Sequence, residues 1–176
     1  MSPDTEAKVS SATSPSGTTG PSTRTEDATS YEQEMLSRLG TWIKRAEQAL
    51  ITSKTHALRP FELTVPQYAT LSALTYAQDQ SAAQLARTVR VSPQTMATIL
   101  SNLESKGLIT RRTSPVHGKV LLVRLTPRAE QVVEEANTAA LKVEQDLATR
   151  FSAEEMTSYL NYLERTIDCL AQQAQN

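Results

Sequence analysis

The chain has 176 residues, 39% of them apolar, with five glycines, one cysteine and a formal net charge of −1. No stretch approaches the roughly 18 consecutive apolar residues that a membrane-spanning helix needs, and the opening Met-Ser-Pro-Asp-Thr-Glu lacks the basic-then-apolar pattern of a secretory signal. Cys169, as the single cysteine, excludes an intrachain disulfide framework and a cysteine-based zinc site. The expectation is an intracellular, cytoplasmic protein with one domain of ordinary size and a tail.

The charge is unevenly distributed. Residues 82–128 hold eight bases (Arg87, Arg90, Lys106, Arg111, Arg112, Lys119, Arg124 and Arg128) and one acid, Glu104. That segment is +7, against −2 for residues 1–81 and −6 for residues 129–176, which together return −1. A basic block between acidic ones is the footprint of a part that touches a polyanion. A cluster on a solvated face gives the same count, so the structure of the block has to decide.

Residues 1–29 are dominated by Ser, Thr, Pro and Gly, with Val9 as the one large apolar residue after the first Met. Such a stretch buries too little surface to offset its ordering entropy, and a disordered tail is expected. From Tyr31, Met35, Leu36, Leu39, Trp42, Ile43, Ala46, Ala49 and Leu50 recur at three and four residues. This predicts a long helix that fades near Thr55 and stops before Pro60. Thr64-Val65-Pro66-Gln67 and Ser81-Ala82-Ala83-Gln84 are capping boxes that open two shorter helices. Ser92-Pro93 caps a third, which runs to about Ser105 and is closed by Gly107. Only Arg90-Val91 separate the last two, which makes them a helix-turn-helix.

After Gly107 the period changes. Residues 108–113 and 120–125 are strand-like, and Ser114-Pro115-Val116-His117-Gly118-Lys119 links them as a basic loop. A hairpin in that place is a wing. Thr126-Pro127 starts a long helix with Val132, Val133, Ala136, Ala140, Val143 and Leu147 inward. Ser152-Ala153-Glu154-Glu155 is a third capping box, before Met156, Leu160, Leu163, Ile167 and Leu170 on one side of a last helix. The fold class is mainly α (α+β), a winged helix-turn-helix domain with N- and C-terminal helical regions. The apolar stripes of helices 31–55, 126–149 and 152–172 exceed what one small winged lobe can cover, and a partner chain is the simplest cover.

The run from Leu63 to Pro127 resembles the MarR family of bacterial regulators. The resemblance is carried by LTVPQYATLSAL, SAAQLAR, VSPQTMATILSNLESKGLITRR and VLLVRLTPRA, above all by LESKGLI at 103–109 and by Leu125-Thr126-Pro127. The helix order over residues 31–176 also fits, so the resemblance covers all but the tail. It implies a sequence-specific DNA-binding repressor that grips a palindromic operator as a triangular homodimer. The segments are then a tail at 1–29, a dimerisation helix at 30–60, the winged domain at 61–126 and dimerisation helices at 127–176.

On a helix over 92–105, Met96, Ile99, Leu100 and Leu103 share one face and must pack under the domain. Gln94, Thr98 and Ser101 fall opposite, with Ala97 beside them and Ser92, Pro93 and Thr95 at the helix start. Short uncharged side chains let a backbone approach bases. Gln94 suits a bidentate pair with adenine, and Ala97 and Thr98 suit a thymine methyl. Arg87, Arg90, Arg111, Arg112 and Lys119 are placed to neutralise phosphates. The family's wing carries Asp-x-Arg, with the Asp steadying a minor-groove Arg. Here His117-Gly118-Lys119 stands in its place, so that salt bridge cannot form and Lys119 acts as a point charge without a planar fork.

The resemblance further implies a small phenolic or similar effector between the dimer helices and the lobe. Trp42, His56 and Tyr68 are candidate lining residues, although core packing accounts better for Trp42 and Tyr68. Some relatives sense peroxide through a cysteine near the start of the first helix, where this chain has none. Cys169, near the end of the last helix and so near the two-fold axis of the dimer that the resemblance implies, is expected to be buried and inert, with an interchain disulfide as the lesser alternative. No HExxH, phosphate loop, G-x-S-x-G or metal-ligand spacing occurs, so no enzyme, cofactor or metal is expected. The competing reading is a winged-helix module that binds protein without specific DNA binding.

Overall fold

The computed structural model describes residue 31, residues 33–116 and residues 118–174. The expected tail at 1–29 and the wing residue His117 lie outside the described residues. The chain divides into two compact units, Met1–Arg45 and Ala46–Asn176.

Residues 33–37 are helical, and the helix is interrupted at Arg38 before α1, Leu39–Leu58. One continuous helix from Tyr31 was expected. Instead Arg38 N–H bonds to Met35 O and Thr41 N–H to Arg38 O, three residues back, which tightens the chain. α1 also runs past Thr55, and Pro60 sits in the 3₁₀ turn Arg59–Phe61 that follows. In the first unit Trp42 is 53% exposed, donates its indole N–H to Leu36 O at 2.9 Å and carries the Arg45 guanidinium over its ring.

In the second unit the winged lobe follows the predicted order: α2 (Val65–Tyr76), β1 (Gln80–Ser81), α3 (Ala82–Val89), α4 (Pro93–Ser105), β2 (Ile109–Thr113) and β3 (Leu121–Leu125). Both capping boxes form as read. The Thr64 and Ser81 hydroxyls accept the third-residue amides, while Gln67 and Gln84 reach back to the cap amides. Ser92 caps α4 by accepting Thr95 N–H. Gly107, at φ 67°, ends α4 in the left-handed region, and Leu108 N–H returns to Leu103 O.

The strands form an antiparallel sheet in the order β1-β3-β2. Ile109 pairs with Leu125, Arg111 with Val123 and Arg112 with Leu122, while the two residues of β1 pair with Val123 and Leu122. β1 was not expected, because two residues are too few to show a period. α2, α3, α4 and the inner sheet face enclose Leu71, Leu74, Leu85, Met96, Leu100, Leu103, Ile109 and Val123, all buried.

α5 (Pro127–Ala148) packs on α2 through Ala129, Val133, Ala136 and Ala140, and these small side chains allow close approach. Leu147, expected inward, is 48% exposed because α5 runs on beyond this contact. α6 (Ala153–Gln173) buries no residue at all. Cys169, expected buried, is therefore exposed in the single chain.

Candidate nucleic-acid interface

The face of α4 that sequence periodicity set outward is outward. Gln94, Thr95, Ala97, Thr98 and Ser101 are exposed, as are Ser92 and Pro93, while Met96, Ile99, Leu100 and Leu103 lock the helix onto the lobe. The Thr98 hydroxyl donates to Gln94 O at 3.2 Å, which leaves its methyl and oxygen lone pairs for an outside partner. At the helix start Pro93 has no N–H, Thr95 N–H goes to the Ser92 hydroxyl and Met96 N–H to Ser92 O. Among the described residues nothing accepts the Gln94 N–H, which lies beside the positive end of the helix dipole.

The eight cations of the basic block separate into two groups. Four are engaged within the lobe. Lys106 donates its ammonium to Glu62 O. Arg111 Nε lies 3.1 Å from Glu104 Oε2, with the Arg111 side chain 28% exposed. Arg112 and Arg124 both bind Asp79. The other four, Arg87, Arg90, Lys119 and Arg128, are exposed, and among the described residues no acid pairs with them. Strand alternation explains the fate of the neighbours Arg111 and Arg112. Successive side chains point to opposite faces, so Arg111 turns inward to the end of α4 and Arg112 to the outer face. Arg128, one residue into α5, was not among the expected contacts. The signal for it was present, since the +7 block ends there.

Arg90 occupies the turn between α3 and α4 at φ 58°, and its N–H bonds to Ala86 O and Arg87 O. A non-glycine residue there carries a left-handed penalty on the order of 1 kcal/mol. Arg90→Gly therefore separates shape from charge. We expect its thermal midpoint to stay level or rise while duplex affinity falls. A fall in both would mean that the arginine side chain holds the turn.

Asp79 precedes β1 at φ 61°, a conformation that Asp tolerates better than most residues. Its Oδ1 accepts Arg112 Nε at 3.0 Å and Arg124 Nε at 3.2 Å; its Oδ2 accepts Arg112 Nη2 at 2.7 Å and Arg124 Nη2. The Arg124 hydrogen bond is the main cause that holds the Asp79 carboxyl below its ordinary value, and Arg112 adds to it against a desolvation penalty. A carboxylate lowered on folding stabilises the fold above the range where a free aspartate titrates, and that contribution is lost as pH falls through the folded value. The clasp is fully charged at neutral pH.

Trp42 belongs to the first unit, whereas His56 and Tyr68 belong to the second. His56 is exposed on α1. The Tyr68 hydroxyl donates to Asn137 Oδ1 at 2.7 Å and so ties α2 to α5. Among the described residues no cluster of three or more His, Cys, Asp or Glu is arranged to hold a metal. No described helix is long and apolar enough to cross a membrane.

Comparison with known proteins places this geometry. Residues 61–119 match the model of the MarR family. The HTH-type transcriptional repressor Rv2887 of Mycobacterium tuberculosis is 30% identical over 127 residues, covering 72% of this chain and 91% of that protein. The crystal structure of Rv2887 in complex with p-aminosalicylic acid superposes with a TM-score of 0.59 at 29% identity, covering 73% of this chain and 98% of that one. The fold is shared with the MarR family transcription regulator SP03579 (TM-score 0.74, 23% identity, 85% and 99% covered). It is shared too with the S. aureus MepR–DNA complex (0.70, 23%, 75% and 98%). An outward helix face without charge from Gln94 to Ser101, a hairpin wing and a sheet in the order β1-β3-β2 thus sit on a chain that belongs to the MarR family of DNA-binding transcriptional regulators.

Proposed function

We propose that the protein is a repressor that binds an inverted-repeat operator as a homodimer, laying α4 of each subunit into the major groove. The observation that carries this reading is an exposed α4 face without charge from Ser92 to Ser101, beside the cations Arg87, Arg90 and Lys119, with which no acid among the described residues pairs. Gln94 reads a base edge, Ala97 and Thr98 lie against a thymine methyl, and Ser101 completes the contact face. Arg87, Arg90 and Arg128 neutralise phosphates, and Lys119 carries the wing's charge toward the minor groove with His117 beside it in sequence. The chain works by binding and not by catalysis, in the cytoplasm where its DNA lies. A small aromatic acid or phenol releases it, a reading supported by the p-aminosalicylic acid complex of the related Rv2887. Tyr68, His56 and Trp42 are the residues to test for that ligand.

Selection of duplexes from a random pool with the purified protein tests the proposal. The expected product is a palindrome with half-sites about one helical turn apart. On that operator Gln94→Ala changes the preferred base more than the total affinity. Lys119→Ala weakens all sequences and flattens the slope of log K against log salt by roughly one unit. Failure to enrich any duplex in dilute buffer would leave the protein-interaction module as the better reading.

A further inference from the structure

The segment Gln78-Asp79-Gln80 holds β3 at three successive residues. Gln78 Oε1 accepts Leu125 N–H at 3.0 Å, Asp79 takes Arg124, and Gln80 pairs with Val123 in the sheet. The Gln80 side chain returns to α2, donating to Ala73 O at 3.2 Å and Ala77 O at 2.8 Å. The wing is therefore anchored to the end of α2 through one short loop, and its charged centre is Asp79.

The chemistry of that centre is asymmetric. Thr110 lies opposite Arg124 and Arg112 opposite Leu122, so the two arginines are diagonal neighbours on the outer face of the hairpin. Without Asp79 they are two like charges on adjacent strands, which weakens the pairing there. With it each guanidinium presents Nε and Nη2 to the carboxylate, an arrangement that lysine cannot reproduce. The Asp79 side chain is 24% exposed, against 53% and 47% for Arg112 and Arg124, so the acid sits inside a shell made by the two bases. Ile109, Val123 and Leu125 fill the opposite face of the same hairpin, where Arg111 reaches α4. The outer arginines thus point away from the side on which the recognition helix packs.

From this we infer that Asp79 is the positioning residue of the wing, and that it withholds Arg112 and Arg124 from DNA to use them as a structural clasp. The inference rests on the DNA-binding reading above. It deepens that reading by dividing the basic block into cations that grip phosphate and cations that aim the wing. Lys119 then meets the minor groove at a place set by a loop some forty residues earlier in the chain.

Two variants of the full-length protein test it, each with one readout that needs no DNA. Arg112→Gln leaves Asp79 paired with Arg124. The expected result is a salt slope on duplex DNA equal to that of the wild type, whereas Lys119→Ala loses about one unit. Asp79→Asn keeps a residue tolerant of φ 61° and removes the charge. On random duplex its slope steepens by as much as about two units as both arginines are released. Its preference for operator over random duplex falls as the wing loses its setting. A destabilised fold alone would not steepen a salt slope. By hydrogen exchange, amides of β2 and β3 open faster in Asp79→Asn while those of the α2 interior do not. A slope reduced by about one unit in Arg112→Gln, or unchanged β2 and β3 exchange in Asp79→Asn, would overturn the inference. A wild-type protein that binds no duplex, with exchange still accelerated, would sink the DNA reading and leave the clasp standing.

Discussion

Leu163→Asp combined with Ile167→Asp is expected to give a folded monomer whose operator affinity is lower by about 10²–10⁴-fold. Met156, Leu160, Leu163, Ile167 and Leu170 follow one another at four, three, four and three residues, the spacing of a helix–helix seam. In the single chain this seam is open: Leu160 is 56% exposed, Ile167 58% and Leu170 54%. α6 has no buried residue, so aspartates on it remove nothing from the core of the chain. In the proposed homodimer they place two desolvated charges per subunit in the seam, where each is costly. Two winged lobes on one particle bind two half-sites at the effective concentration set by their linkage, and a monomer forfeits that gain without altering α4. Sedimentation, circular dichroism and operator titration of the double variant check the three parts separately. A variant that is still dimeric would remove α6 from the interface.

Leu103→Ala is expected to destabilise the fold by about 2–5 kcal/mol. Leu103 is fully buried at the last turn of α4, and its carbonyl accepts the Leu108 amide that turns the chain into β2. Truncation opens a cavity between Met96, Leu100 and the inner face of the sheet, at the place that fixes both the recognition helix and the wing. A loss of this size is a large share of the roughly 5–15 kcal/mol that holds a domain folded. Urea unfolding at fixed protein concentration measures it, since the proposed dimerisation would make the midpoint concentration-dependent. A cost under about 1 kcal/mol would mean that α4 is not held by its apolar face. Leu163→Asp acts on assembly and Leu103→Ala on the lobe, so their effects should add.

Much of the lobe was legible in the chain because its signals are local. Thr64/Gln67, Ser81/Gln84 and Ser152/Glu155 are cap pairs three residues apart, and each forms in the structure. The buried face of α4 follows from a 3.6-residue period, and Gly107 ends that helix at φ 67° as its place in the sequence implied. The family resemblance carried by the stretch from Leu63 to Pro127 rests on the same local pattern, and the match over residues 61–119 agrees with it. Leu147 and Cys169 are exposed in the single chain, because apolarity announces that a residue wants cover without saying whether its own chain or a partner supplies it.

The sequence by itself determined where helices start and stop, which face of α4 is apolar and where positive charge accumulates, since each depends on residues within a turn or two. Which positive charges are available was decided by the tertiary structure alone. Lys106 meets a carbonyl 44 residues away, and Arg112 and Arg124 meet a carboxylate 33 and 45 residues away, on strands whose register no local period reveals. A count of bases sees eight; packing brings Asp79, Glu104 and the Glu62 carbonyl against four of them, and among the described residues the other four meet no acid.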